Sequence, residues 1–166
     1  MTRRALTSAG GSVVGGERTL RALIAIRRQK LLPQLYGRVA VGRFNFDALG
    51  DVLPEAPPWL SVMEDRPDQQ LPPRVAGADA SDAATLRLAL ALPASLVLLD
   101  GPIKERAKLS FIKSEGTVSI LVTAYRRGLL SAVQPMVKAL EKLGHRDVLP
   151  PPEQLEALWQ ALDGME

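Results

Sequence analysis

The sequence predicts an α/β domain of three layers, a short and mainly parallel central sheet with helices on both faces, and three observations carry that prediction. Helical patterns alternate with short apolar runs, the arrangement of folds whose strands are joined by helical crossovers. The run Leu96-Val97-Leu98-Leu99 follows a strong helical pattern with no polar interruption. That is how a parallel strand covered on both faces reads. The 166 residues, 46% of them apolar, suit one domain with a real core, and neither a repeat nor a composition break marks a second.

The elements follow in order. Residues 1–12 are mostly small and polar and are expected to be a flexible N-terminus, leaving 13–166 as a single domain. Val13-Val14 ends a short strand before Gly15-Gly16. From Thr19 to Arg28, Leu20, Leu23, Ile24 and Ile26 fall mostly on one face of a helix. Leu31 to Tyr36 is a second short helix closed by Gly37, and Arg38 to Val41 alternates as a strand. Asn45 to Val52 is a short helix that Gly50 weakens. The proline-rich stretch 54–58 leads into a strand at Trp59–Val62. Asp65 to Gly77, with three prolines and few apolar residues, reads as a loop or flexible flap.

Ser81 to Leu92 is the clearest helix, with Ser81 able to cap its first turn and Pro93 to stop it. After the strand Leu96–Leu99, Asp100-Gly101-Pro102 makes a turn, and Ile103 to Lys108 is a short helix. Ser110 to Lys113 reads as a further strand. Thr117 to Arg127 is a helix stopped by Gly128. Ser131 to Leu143 is another, with Ser131 and Gln134 spaced as a capping box and Gly144 at its end. Pro151-Pro152-Glu153 opens the last helix, because proline is tolerated in the first turn.

Composition narrows the function classes. Without cysteine there is no disulfide framework, thiolate zinc site or cysteine nucleophile, which fits a reducing compartment. The residues after Met1-Thr2-Arg3-Arg4 lack the apolar core of a signal peptide. The longest apolar stretch, Leu86 to Leu99, is broken by Arg87, Pro93 and Ser95, so no bilayer span is expected and the location is read as cytoplasmic. The net charge of +3 is compatible with phosphate partners without requiring them. The cations gather in three clusters: Arg18, Arg21, Arg27, Arg28 and Lys30; Lys104, Arg106, Lys108 and Lys113; and Arg126 with Arg127. Solvated helix faces explain them equally well. Aromatic residues are 4% of the chain and are read as not interleaving with the basic runs, against a single-strand stacking platform. Gly10 to Gly16 mimics a phosphate loop but lacks its Lys-Ser/Thr, and the single His145 reads as a surface residue. Nothing resembles a nucleophile elbow, and Trp59 and Trp159 read as core or interface residues.

Candidate chemistry centres on carboxylates. In open parallel sheets the working residues collect outside the carboxyl ends of the strands, where Asp100 stands. Asp82, in the first turn of the preceding helix, converges with it if that helix packs beside the strand. Grouped oxygen ligands suit Mg²⁺ or Mn²⁺ and phosphodiester hydrolysis. Singly, each acid has a plain structural account: Asp82 favours a helix start and Asp100 a turn.

A resemblance adds weight. Asp82-Ala83-Ala84-Thr85-Leu86 through Leu98-Leu99-Asp100, Gly116-Thr117, and Ala124-Tyr125-Arg126-Arg127-Gly128-Leu129-Leu130 with Pro135 resemble the PIN-domain superfamily. More narrowly, they resemble the bacterial and archaeal PIN-like proteins related to toxin ribonucleases of toxin–antitoxin pairs. Leu31 to Gly37 and Pro57-Pro58-Trp59-Leu60 agree in the N-terminal half, and the likeness runs from about Val13 to Arg146. It implies a Rossmann-like sheet with an acidic cluster that binds Mg²⁺ or Mn²⁺ and hydrolyses single-stranded RNA. Asp82 and Asp100 fall where relatives carry acids. The Asp that relatives place at the end of the first strand aligns with Gly16, with Glu17 one residue on. The Glu of their early helix aligns with Ala48, with Asp47 one residue before. A one-residue shift re-aims a side chain on a helix and reverses its face in a strand.

The resemblance therefore implies Asp82, Asp100, Glu17 and Asp47 as catalytic candidates, the first three of them as metal ligands. Arg18, Lys104 and Arg106 are the candidate phosphate contacts. Two functions remain open: a divalent-metal ribonuclease with a partly degenerate site, or an inactive PIN-like scaffold in nucleic-acid binding or protein interaction. The family also implies RNA, an antitoxin protein and a second copy of the chain as partners, and no membrane.

Overall fold

Five short strands form one parallel sheet: β1 (Val13–Gly15), β2 (Val39–Gly42), β3 (Leu60–Met63), β4 (Leu96–Leu98) and β5 (Ser114–Glu115), in the order β3-β2-β1-β4-β5. The computed structural model describes residues 12–164, so the expected flexible N-terminus lies outside the described residues except for Ser12. That residue is tied in: its carbonyl accepts the Ser95 N–H at 2.8 Å. Register pairs Val14 with Ala40 on one side of β1 and with Val97 on the other. The apolar run at β4 is therefore next to the centre of the sheet, as its composition predicts.

Side chains alternate between the faces. Val13, Val39, Val41, Leu96 and Leu98 join one core with Leu20 and Leu23 of α1 (Glu17–Ala25), Leu31 and Leu32 of α2 (Leu31–Tyr36), and Ile120 and Leu121 of α6 (Thr117–Arg126). Val14, Ala40, Val97 and Leu99 face the other way. They pack against Leu86 and Ala89 of α4 (Ala80–Ala91) and Ile103 and Ala107 of α5 (Ile103–Leu109). The helices α3 (Arg43–Ala48), α7 (Gln134–Lys142) and α8 (Pro152–Asp163) complete the fold. This is the three-layer α/β arrangement expected.

Four local readings change. Ser110 to Lys113 is a turn, and the fifth strand is the dipeptide Ser114–Glu115 beyond it. Asp79, not Ser81, caps α4, accepting the Asp82 N–H at 2.8 Å, while the Ser81 hydroxyl goes to Asn45. The capping box at Ser131 does not form: α7 starts at Gln134 after Val133, with no side-chain cap. The stretch 65–77 is not a free flap. Its short 3-10 turn, Pro73–Val75, buries Val75 completely against α4 and α5, and Asp65 accepts the Phe44 N–H at 2.9 Å. Among the described residues, no helix is long and apolar enough to cross a membrane.

The anchoring of this segment is open to measurement. Val75→Ala removes two buried methyl groups and should destabilise the fold by about 2 kcal/mol in denaturant unfolding. Gln70→Ala, at an exposed position of the same segment, should stay within about 0.5 kcal/mol of the wild type. Equal, small effects would show the segment to be detached from the core.

Candidate functional site

Because every strand is parallel, all strand carboxyl ends share one edge, and the chain delivers its acids there. Asp100 follows β4 immediately, and Gly116-Thr117 follows β5. Asp79 and Asp82 open α4, whose first turn reaches Arg18 in the first turn of α1. Glu17 is the first residue of α1.

Asp100 is almost fully buried, and three of its four hydrogen bonds gather on one oxygen. Its Oδ2 accepts the hydroxyls of Thr19 at 2.7 Å and Thr117 at 2.6 Å. The Thr117 N–H adds bonds of 3.0 and 3.1 Å to the two oxygens. One side chain thus joins β4 to the first turns of α1 and α6. Gly116 is required by this closeness, since a Cβ there would lie 2.5 Å from Asp100 Oδ1. That gives the Gly-Thr motif a physical reason. Burial pushes the Asp100 carboxyl above its usual range, opposed by the Thr117 and Thr19 hydrogen bonds and by Lys104.

Asp82 is buried as well and pushed up to about 6. Desolvation is the main cause; Arg18 opposes it, while Asp79, Glu17 and Asp100 add to it. The cation in this group is therefore a guanidinium. Arg18 holds Asp79 at 2.6 Å and Asp82 at 3.5 Å, and Asp147 lies 3.9 Å away. One turn along α1, Arg21 pairs with Glu17 and with Asp51 at 2.8 Å, and donates to the Ala48 carbonyl at 2.7 Å. Glu17 accordingly turns along its own helix toward Arg21.

Of the expected catalytic acids, Asp82, Asp100 and Glu17 share one Coulombic neighbourhood. Asp47 does not join them in any contact: its exposed carboxylate is paired with Arg43 on α3 at 4.0 Å. Of the expected phosphate contacts, Arg18 is committed to acids, Lys104 faces Asp100, and Arg106 is exposed on α5. A cleft of about 680 Å³ opens beside Asp100, between the starts of α5 and α6 and the segment 147–158. Sequence reasoning missed Asp79, Asp147 and Thr19, and singled out Thr117 in the Gly-Thr motif without its bond to Asp100. Asp79 was within reach, as an acid three residues before Asp82 that suits an N-cap; the others depend on long-range contacts.

The fold and site define a parallel α/β domain with acids gathered at its strand ends. The particular family is shown by a profile described as DUF3368, PIN domain, which matches residues 18–149; the chain belongs to this family. The family is nuclease-like and nucleic-acid-binding, and its members generally use divalent metals. No curated protein and no solved structure matches the chain.

The residues present do not fit such an ion. Among the described residues, no group of three or more His, Cys, Asp or Glu side chains is placed to hold one. At Gly16, where the resemblance expects an Asp, the N–H bonds the Leu98 carbonyl at 2.8 Å. A Cβ there would sit 2.8 Å from that same oxygen, with no room for a side chain unless β1 and β4 part.

Two outcomes follow. Thr117→Val removes a hydroxyl bond to a buried carboxylate and should cost about 1.5–3 kcal/mol in unfolding free energy; an unchanged midpoint would remove Asp100 from the structural role given to it. The second concerns pH. An acid whose folded pKa is raised binds more protons folded than unfolded, so its contribution is full below the unfolded carboxylate value and lost as pH rises through about 6. Melting temperature should therefore fall as pH rises from roughly 4 to 6, and Asp82→Asn should flatten that slope. An equal slope in wild type and variant would refute the assignment.

Proposed function

We propose that this chain is a PIN-like nucleic-acid-binding protein whose acidic cluster is closed by arginine in place of a divalent ion, so that it binds without cleaving. The observation that carries the reading is Arg18, whose guanidinium holds Asp79 at 2.6 Å and reaches Asp82, one of the acids a metal would need, at 3.5 Å. Like-charged carboxylates gather only where a cation compensates them. Here the compensating charge is covalently part of α1, and a metal would have to displace it. Gly16 supports the same reading, because the turn that lacks the expected Asp is the turn that supplies Arg18. The ribonuclease reading would need Arg18 to swing out and leave Asp82 to a metal.

The test is Mn²⁺ titration by calorimetry at neutral pH, with labelled single-stranded RNA followed for binding and cleavage. The wild type should retain RNA intact and show no Mn²⁺ binding at millimolar concentration. Arg18→Ala leaves Asp79 and Asp82 unpaired, and Mn²⁺ should then raise the melting temperature of that variant and not of the wild type. Manganese-dependent cleavage by the wild type that disappears in Asp100→Asn would overturn the proposal.

A further inference from the structure

The parallel sheet that collects acids at one edge collects cations at the other. Each strand's amino end lies at this second edge, together with the carboxyl ends of the helices that return to it. The segment between α1 and β2 places Arg27, Arg28, Lys30 and Arg38 there. The approach to β5 adds Lys113, and the end of α6 adds Arg126 and Arg127. All seven side chains are exposed, and none forms an ion pair among the described residues. Segments 26–38, 92–95, 109–113 and 127–133 contain no acid; the acids near them are Glu115, bonded to Tyr36, Asp163, beside residues 131–134, and Asp51 and Glu55 in the connection into β3 at the far end of the sheet.

Phe111 stands at this edge. It is 99% exposed and is held at φ 63 in the turn after α5, where Ile112 N–H bonds the Ala107 carbonyl. A left-handed conformation is costly for a residue with a side chain, and a fully solvated phenyl ring gains nothing from burial. It lies between Lys108 and Lys113 in the chain, so an aromatic does interleave with a basic run, contrary to the sequence reading.

We infer that the edge of the sheet opposite the acid cluster is a docking surface for single-stranded nucleic acid, with Phe111 stacking a base and the arginines holding phosphates. This rests on the nucleic-acid-binding reading above and locates it away from the family's acidic edge. Charge complementarity selects the occupant: five of the seven cations are arginines, whose planar forks match phosphate oxygens. The exposed ring selects a single strand, whose bases are free to stack. The chain's own first eleven residues do not suit the surface, for they carry Arg3 and Arg4 and no acid.

The test uses the full chain and a fluorescein-labelled uridine 20-mer, with affinity followed by anisotropy against salt. Arg126→Gln with Arg127→Gln should weaken binding at least tenfold and reduce the log–log salt slope by about 1.4, since each single-strand phosphate contact contributes about 0.7. Phe111→Ala should weaken binding at least fivefold with the slope unchanged. Phe111→Gly should do the same without lowering the melting temperature, which separates lost stacking from lost folding. Arg43→Gln, an exposed cation at the acidic edge, should bind as the wild type does, and Lys104→Gln, at the cleft beside Asp100, is the variant of the competing site. Binding lost in Lys104→Gln but kept in the Arg126/Arg127 variant would overturn this inference and leave the nucleic-acid-binding reading intact. No binding by the wild type would remove both. Polyglutamate competing as well as the RNA would also overturn it, because the surface would then select charge alone.

Discussion

The buried carboxylate of Asp100 is the constraint on which this end of the molecule depends. A charged group removed from water must have its oxygens filled, and here Thr19 and Thr117 fill them from two helices that follow different strands. That requirement fixes where α1 and α6 begin relative to β4, forces glycine at position 116, and brings the first turn of α1 beside the first turn of α4. Arg18, one residue before Thr19, then meets Asp79 and Asp82. The arginine–carboxylate group is thus a consequence of how Asp100 is buried.

Sheet polarity explains the distribution of charge. Parallel strands joined by helices put every strand-to-helix turn at one edge and every helix-to-strand turn at the other. The nine residues of α1 span roughly 13 Å at the usual helical rise, enough to carry the chain across the layer. The cation cluster that looks continuous in sequence from Arg18 to Lys30 is therefore divided in space: Arg18 and Arg21 compensate acids, whereas Arg27, Arg28 and Lys30 reach the opposite edge without acidic partners. Similar spacing along α5 separates Lys104, beside Asp100, from Phe111 and Lys113.

The layer architecture was legible because burial on both faces leaves an apolar run such as Leu96–Leu99, a signal that survives in one dimension. The fifth strand was not, since β5 is two polar residues whose strand character comes from pairing with Val97 and Leu98. Helix starts were misread where several residues compete as caps: Asp79 and Ser81 both suit α4, and the choice is made by Asn45, which engages Ser81 from α3. Asp100 was legible from its place after an apolar strand and Asp82 from the first turn of the helix before it, and the family resemblance added weight to both. What surrounds them was not, because Thr19 and Asp100 are separated by 81 positions and no local pattern announces their bond. The packing of Val75 was hidden by the prolines and polar residues around it.

Loss of an acid from a metal site is usually pictured as a vacancy that a single reversion refills. The geometry around Gly16 argues otherwise. The Gly16 N–H bonds the Leu98 carbonyl at 2.8 Å, and a Cβ at position 16 would lie 2.8 Å from the same oxygen, so a side chain there needs β1 and β4 to part. Restoring an Asp there would set its Cβ against that backbone oxygen, and overpacking of this kind typically costs about 1–3 kcal/mol. It would also add a carboxylate to a neighbourhood where burial and other acids already push the Asp82 carboxyl up to about 6. Sterics and charge therefore act in the same direction, against an acid at position 16. In the proposed reading the fold keeps its acids because Arg18, Arg21 and the threonines make them structural, and selection on the site acts through stability as much as through any ligand.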